Sequence, residues 1–503
     1  VESARLHAYV IGFPPELRAM PPSFSEILEE TRLATRALAD FGGQLFNPTV
    51  RLGVTGLSRA GKTIFITAMV HALLKGGGRL PVFEALAGGR IARVRLSPQP
   101  DQNVPRFDYE GHLKALTIER VWPHSTRRIS ELRLVIDYQA SNGSERTLTL
   151  DIVDYPGEWL LDLPLLNKSY ADWSTETLAL SRQEPRKALA TQWHAHLATL
   201  DPDAPEDEQQ VLTAARLFTD YIRACRDERF AMSLLPPGRF LMPGDLEGSP
   251  ALTFAPLEKN AETPPANSLW ALMESRYEAY KDIVVRPFFR EHFARLDRQV
   301  VLVDALAALN AGPQAVADLE QALAGVLDCF QIGKNNWLSA LIKPRADRIL
   351  FAATKADHLH HTSHDRLEAI LRRMMRRAME RAEFSGAQVD VVAIAAMRAT
   401  REANVGRGMD TLPAIVGTPL GGERLGAQVY DGKTEIAQFP GDLPDDPDAL
   451  YSGAGFRGLT DTAQDETDFR FLRFRPPAVA KDEPLPHIRL DRALQFLIGD
   501  RLK

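Results

Sequence analysis

The sequence predicts an α/β fold built on a mixed sheet with one antiparallel hairpin strand, interrupted by a large helical insertion and closed by a C-terminal appendage. Three observations predict it. The β-branched strand TVRLGVTG (49–56) runs into the loop GLSRAGKT (56–63) and then into a helix. Two alternating segments, ELRLVIDYQA (131–140) and ERTLTLDIVD (145–154), flank an Asn142-Gly143 turn, the signature of a tight hairpin. Three further apolar strands, QVVLVDAL (299–306), RILFAATKAD (348–357) and QVDVVAIAA (388–396), alternate with helices, the pattern of a parallel sheet.

Taken in order, residues 1 to about 20 read as a loose leader. SFSEILEETRLATRAL has a serine cap and an acidic first turn, which predicts a helix from Phe24 to about Phe41. After the loop at 56–63, TIFITAMVHALLKGGG is a helix ending on Gly76 to Gly78. Between it and the hairpin, ARVRLS (92–97) is strand-like and YEGHLKALTIERVW (109–122) partly helical. Residues 159–297 read as the helical insertion. Val211, Ala215, Phe218, Ile222 and Cys225 mark one helix face, SLWALMESRYEAYKDIVV (268–285) reads the same way, and PPGRFLMPGDLEGSP (236–250) lies between. DPDAPEDE (201–208) is an exposed connection within the insertion. HDRLEAILRRMMRRAMERAEF (364–384) is a helix between the last two strands. From about 400 the tail is Gly/Pro-rich, with a hairpin, an exposed DLPDDPD loop (442–448) and a last helix near 488–502. The expected division is a leader and helix (1–48), a first half-domain (49–158), the insertion (159–297), a second half-domain (298–400) and the appendage (401–503).

A chain of 503 residues, 45% hydrophobic and 25% charged, has the balance of a soluble globular protein. The net charge of -6 argues against a general nucleic-acid binder. Two cysteines, Cys225 and Cys329, without metal-type spacing point to a reducing compartment. No apolar run approaches the ~18 residues of a spanning helix, and the start lacks the basic-then-apolar order of a signal peptide. The expectation is a cytoplasmic location, or a peripheral one at the inner membrane.

GLSRAGKT fits G-x-x-x-x-G-K-[ST], whose backbone N–H groups cradle phosphates at a helix N-terminus. The candidate phosphate contacts are Gly56, Ser58, Arg59, Ala60, Gly61, Lys62, Thr63 and Ile64, with Lys62 reaching the β- and γ-phosphates and Thr63 ligating Mg²⁺. A second carboxylate is needed at a neighbouring strand end. Asp154 supplies it in D-x-x-G, where the Gly157 N–H can bond the γ-phosphate; Asp151 is a rival inside the strand. A threonine ahead of the hairpin completes the metal shell: Thr126 in VWPHSTRRIS, with Ser125 behind it, or else this is an ordinary surface loop. Thr354, Lys355 and Asp357 address the base from the rim where α/β ligands bind. A carboxylate accepts from both N1–H and N2–H₂ of guanine, a donor pair adenine lacks. Ala395, Ala396 and Met397 offer backbone to the guanine oxygen, or are a plain strand end.

GLSRAGKT, DYPG and TKAD, in that order around an antiparallel second strand, resemble a Ras-like GTPase. From about residue 24 to the end the chain resembles the YcjX-like family of bacterial P-loop proteins. The resemblance implies a Ras-like P-loop NTPase domain with added helices, a guanine nucleotide (GTP or GDP) with Mg²⁺, and a link to stress responses. Thr354 replaces the usual asparagine, the third motif lacks the common Ser-Ala pair, and Glu158 stands where a water-orienting glutamine is frequent. Glu158 either orients the attacking water or slows hydrolysis by repelling the γ-phosphate. GLxRxGK is also similar to the phosphate loop of guanylate-binding proteins, which implies Arg59 as an arginine finger in cis. Otherwise Arg59 points outward to a surface acid or to the insertion; Arg127 and Arg128 are rival fingers. The expected activity is Mg²⁺-dependent hydrolysis of GTP by a molecular switch. The rivals are an ATPase with an accidental TKAD and a non-hydrolysing, nucleotide-dependent scaffold with a protein partner or self-association.

Two other stretches carry weaker readings. HLHHTSH (358–364) reads first as a polar loop entering a helix and second as a metal cluster. RRMMRRAMER (372–381) reads first as an amphipathic face with Leu367, Leu371, Met374 and Ala378 inward, and second as a surface for anionic membrane.

Overall fold

The computed structural model describes residues 48–503 except 58, 76–79, 125, 127, 228, 329–345, 385, 408–409, 426, 451–470 and 481–482. The expected helix at 24–41, and the candidates Ser58, Ser125 and Arg127, lie outside the described residues.

Seven strands form one sheet: β1 (Thr49–Gly56), β2 (Ile91–Ser97), β3 (Ser130–Gln139), β4 (Glu145–Asp154), β5 (Arg298–Val303), β6 (Arg348–Ala353) and β7 (Gln388–Ala393). Their order is β2-β3-β4-β1-β5-β6-β7. β1 runs parallel between β4 and β5, and β6 and β7 continue the parallel half. The β3–β4 hairpin pairs without slip from Ser130↔Asp154 to Gln139↔Glu145. Its turn is closed by the Gly143 N–H on the Ala140 carbonyl at 2.8 Å. β3 is the one strand that runs against the rest, as expected: β2 pairs antiparallel on its outer side and so runs with the others. In β2, Arg93 and Arg95 alternate with Val94 and Leu96, and such charges suit an edge strand that must not recruit another chain.

Among the described residues the longer helices are α1 (Lys62–Lys75), α2 (Tyr170–Ser181), α3 (Glu208–Cys225), α4 (Leu269–Tyr280), α5 (Pro313–Asp328), α6 (His364–Phe384) and α7 (Leu490–Ile498). Period-2 alternation sends Val300 and Leu302 to one face of β5, into a core with α1 and α7. Val301 and Val303 point the other way, into a core shared with α5, α6 and the insertion. A parallel sheet covered on both faces follows from this double apolarity. Leu367, Leu371, Met374 and Ala378 of α6 are buried, as the amphipathic reading expects.

The described part of the insertion contains helices and turns but no strand. Its aromatic residues interlock: Trp173 stacks on Tyr277 at 5.2 Å and Trp193 on Tyr221 at 5.0 Å. Asp318 of α5 ties it to the sheet, pairing with the buried Arg186 and accepting the Leu234 N–H at 2.9 Å. In the tail, β8 (Arg401–Arg407) and β9 (Asp410–Gly417) form a hairpin that Ile436–Gln438 extends. α7 returns to the main sheet, where buried Arg298 at the start of β5 donates to the Leu497 carbonyl at 3.1 Å. Among the described residues no helix is long and apolar enough to cross a membrane.

Candidate functional site

β1 delivers the chain into a loop whose backbone turns through positive φ at Gly56 (151°), Arg59 (63°) and Gly61 (83°) before α1 begins at Lys62. Arg59 holds a left-handed conformation without being glycine, a cost that recurs at functional sites. Lys62 folds back across the loop, and its Nζ donates to the Gly56 carbonyl at 3.0 Å. Gly157 lies against the same spot. A Cβ there would sit 1.7 Å from the Gly56 oxygen and 2.9 Å from Lys62 Nζ. Gly157→Ala is therefore expected to cost ~3 kcal/mol or to displace the loop. A lowered urea midpoint together with lost nucleotide binding would show it.

Three oxygen-bearing side chains meet beside Lys62. Thr63 Oγ1 is 3.3 Å from Thr126 Oγ1, and the Thr126 hydroxyl donates to Asp154 Oδ2 at 2.7 Å. Asp154 is 1% exposed, and its Oδ1 is buried without a hydrogen-bond partner. An orphaned buried carboxylate oxygen beside two hydroxyls fits a hard divalent cation such as Mg²⁺. Asp151 is committed elsewhere, to Arg133 at 2.6 Å. Burial pushes the Asp154 carboxyl up to about 6, against the pull of Lys62 and the Thr126 hydrogen bond. The folded value lies above the ordinary carboxylate value, so the protonated acid favours the unliganded fold at low pH, and that contribution is lost as pH rises through about 6. A cation needs the ionised form. Were Asp154 to hold Mg²⁺, affinity would climb as pH rises through about 6 and then level off, with proton release below that point in calorimetry.

At the other end, Lys355 also adopts a left-handed conformation (φ 62°), and its ammonium pairs with Asp304. The Thr354 hydroxyl, just past β6, donates to the carbonyl of Val303, the last residue of β5, at 3.3 Å. Asp357 is 4% exposed; its Oδ2 accepts the Ala399 N–H at 2.8 Å, and its carbonyl accepts the Thr400 hydroxyl. A cavity of about 380 Å³ joins the two ends. Arg59, Ala60, Gly61, Lys62, Thr63 and Ile64 line it on one side, Thr126 flanks it, and Thr354, Lys355, Asp357 and Ala395 to Met397 line the other. Gly56, Asp154 and Gly157 are buried.

Residues 50–502 match the YcjX-like family, DUF463. The chain belongs to the YcjX-like family. It is 38% identical over 470 residues to the protein named Ras-like GTPase YcjX of Escherichia coli, covering 90% of this chain and 96% of that one. It is 36% identical over 490 residues to the Shewanella oneidensis protein of the same name, covering 90% and 95%. Among solved structures it is similar to the signal recognition particle receptor SRb-GTP/SRX complex from Chaetomium thermophilum, at 14% identity and a TM-score of 0.22, over 72% of this chain and 93% of that one. At that score the likeness carries no argument, and the fold rests on the strand order above.

In this YcjX-like chain, Glu158 does not line the 380 Å³ cavity. It faces a second cavity of about 550 Å³, walled by the insertion, the segment after β5 and the tail, and Arg59 lines both cavities. There Arg226, just beyond α3, donates to Glu158 Oε1 at 3.2 Å. Several residues of the site carried no local signal. Trp122 donates its indole N–H to the Phe474 carbonyl at 2.7 Å, and both rings border the 380 Å³ cavity with Arg473. Arg120 reinforces this clasp through the Pro476 carbonyl at 3.0 Å. The tail thus reaches the segment that carries Thr126. Asp304 had a readable signal, an acid between a strand and a helix, and it caps that helix at the Ala307 N–H at 3.1 Å.

Proposed function

We propose that this protein binds GTP with Mg²⁺ and hydrolyses it to GDP and phosphate. The observation that carries the reading is one cavity lined by both Lys62, the candidate phosphate grip, and Asp357, the candidate guanine acceptor. The names of the two relatives point the same way. Lys62 leaves the Gly56 carbonyl for the β- and γ-phosphates, the loop N–H groups hold the phosphate oxygens, and the Gly157 N–H meets the γ-phosphate. Thr63, Thr126 and Asp154 would hold the cation. When bound, Mg²⁺ neutralises charge on the β- and γ-oxygens. Water attacks the γ-phosphorus in line, the bond to the β–γ bridging oxygen breaks, and GDP leaves with that oxygen.

The deciding measurement compares affinities for GDP and ADP and follows phosphate release from GTP. GDP binding at least ~10³-fold tighter, with release, supports the reading. Equal affinities would make TKAD accidental and favour an ATPase. Binding without turnover would favour the scaffold.

The Glu158–Arg226 pair bears on rate. A carboxylate next to Gly157 would repel the γ-phosphate, and the insertion's guanidinium offsets that charge. Arg226→Ala is expected to slow turnover about tenfold, equivalent to ~1.4 kcal/mol. Adding Glu158→Gln should restore it, whereas a double variant as slow as the single one would refute the charge-compensation role.

A further inference from the structure

Of the four histidines that follow TKAD, two are built into the fold. His358 packs edge-on against Phe474 at 5.6 Å, and His364 Nε2 donates to the Ala356 carbonyl at 2.9 Å. His360 and His361 instead converge on one acid of the tail. His361 Nδ1 is 2.6 Å from Glu402 Oε2, and His360 Nε2 is 3.8 Å from the same oxygen. The three atoms all lie within 4.8 Å of one another. Thr362 Oγ1 is 3.0 Å from His360 Nδ1, which leaves the Nε2 of that ring facing Glu402. Arg398 sits 3.3 Å from the other carboxylate oxygen, Oε1, and so orients Oε2 toward both imidazoles.

The geometry points to a transition-metal site of the zinc class formed by His360, His361 and Glu402. A tetrahedral ion with bonds of ~2.0–2.1 Å holds its ligand atoms about 3.4 Å apart, so the closer carboxylate contact opens, the wider one closes slightly, and the two ring nitrogens, within 4.8 Å of each other, draw together by at most about 1.4 Å. Two imidazoles with one carboxylate suit zinc, cobalt or nickel better than Mg²⁺ or Ca²⁺. Thr362 behind one ring and Arg398 behind the carboxylate supply the outer partners that fix ligand orientation. Arg398 also places a positive charge beside the ion, which weakens its binding.

The site joins two segments that border the base end of the cavity. Ala399 and Thr400, three and two residues before Glu402, hold Asp357 by its carboxylate and its carbonyl. Lys355 and Asp357 lie a few residues before His360 on the other segment. A bound ion staples these segments together and stiffens the grip on Asp357. That consequence for nucleotide binding rests on the guanine reading; the metal site itself does not.

The test uses the full chain, free of any affinity tag and stripped by a chelator, titrated with Co²⁺ as a spectroscopic probe and then with Zn²⁺. One equivalent of Co²⁺ should give the d–d bands of a four- or five-coordinate ion, displaced by Zn²⁺. Zn²⁺ should raise the unfolding midpoint. Glu402→Gln and His361→Ala should each weaken binding at least ~10-fold, and Arg398→Gln should tighten it several-fold. The His361 side chain is 62% exposed, so its removal leaves the fold to report on the metal alone. No stoichiometric uptake at micromolar Co²⁺, or uptake unchanged in the Glu402→Gln/His361→Ala double variant, overturns the proposal and leaves an ordinary His–Glu hydrogen bond. Affinity for GDP is measured in parallel. Metal uptake without GDP binding would sink the guanine reading alone, and GDP binding without uptake would sink the metal site alone.

Discussion

Arg59→Ala is expected to lower GTP turnover by about 10³-fold or more while changing GDP affinity by less than about threefold. Arg59 stands at the third variable place of the phosphate loop, in a left-handed conformation, and lines both the 380 Å³ and the 550 Å³ cavities. It therefore occupies the boundary between the phosphate grip and the insertion. A guanidinium there can approach charge that develops on the γ-phosphoryl oxygens as the bridging bond breaks. Because that charge is greater in the transition state than in bound GTP, the loss should fall on kcat and not on binding. The competing arrangement is also visible. The N–H groups of Arg229 hold the Asp227 carboxyl below its usual range, and Arg59 adds a smaller pull of the same sign from across the gap. If that attraction were the whole role of Arg59, Arg59→Ala would leave turnover unchanged and alter only how the insertion sits. Arg59→Lys separates charge from shape. A lysine keeps the positive field and loses the planar fork, so partial retention of turnover is the signature of a finger. Rate measured against protein concentration shows whether self-association stimulates it in the parent and not in the alanine variant.

Much of this site was legible because its parts obey local rules. The hairpin announced itself through alternation and Asn142-Gly143, and it pairs residue for residue as that pattern demands. Asp154 could be singled out from its place at a strand end next to the 56–63 loop, and it is buried there with Oδ1 lacking a hydrogen-bond partner. The parts that escaped depend on contacts without a local signature. Trp122 and Phe474 are 352 residues apart and meet only because the tail folds back over the cavity. Arg226 ends an amphipathic helix like any solvent-facing arginine, yet it reaches Glu158 across 68 residues. Asp162 is an intermediate case. An acid within LLDLPLLN is out of place unless buried with partners, and here the Tyr280 hydroxyl and the Gly238 N–H both donate to it at 2.6 Å. Burial pushes its carboxyl up to about 7. These bonds tie the start of the insertion, just after Gly157, to its later helices.

Asp357→Asn is expected to weaken guanine nucleotide binding by about 10³-fold and to create affinity for xanthine nucleotides in its place. The reason lies in which oxygen is already engaged. Oδ2 accepts the Ala399 N–H at 2.8 Å, so an asparagine must put its carbonyl oxygen there; the opposite orientation would set two donors against each other. The amide nitrogen then takes the place of Oδ1. Guanine presents two donors, N1–H and N2–H₂, and one of them now faces an N–H₂ group inside a pocket where Asp357 is 4% exposed. A buried donor left unpaired costs about 1–3 kcal/mol, and the lost charge-assisted bond adds a similar amount. Xanthine keeps N1–H but carries a carbonyl at C2, which accepts from the new amide nitrogen. The substitution therefore moves an incompatibility from one base to the other, and hydrolysis should follow the base. The readout is the ratio of affinities for GDP and XDP in the parent and the variant, with Mg²⁺ present. An unchanged ratio would mean that Asp357 does not meet the purine. A loss of both nucleotides would mean that its bonds to Ala399 and Thr400 matter only for holding the loop, and the melting temperature of the variant distinguishes that collapse from a true change of specificity.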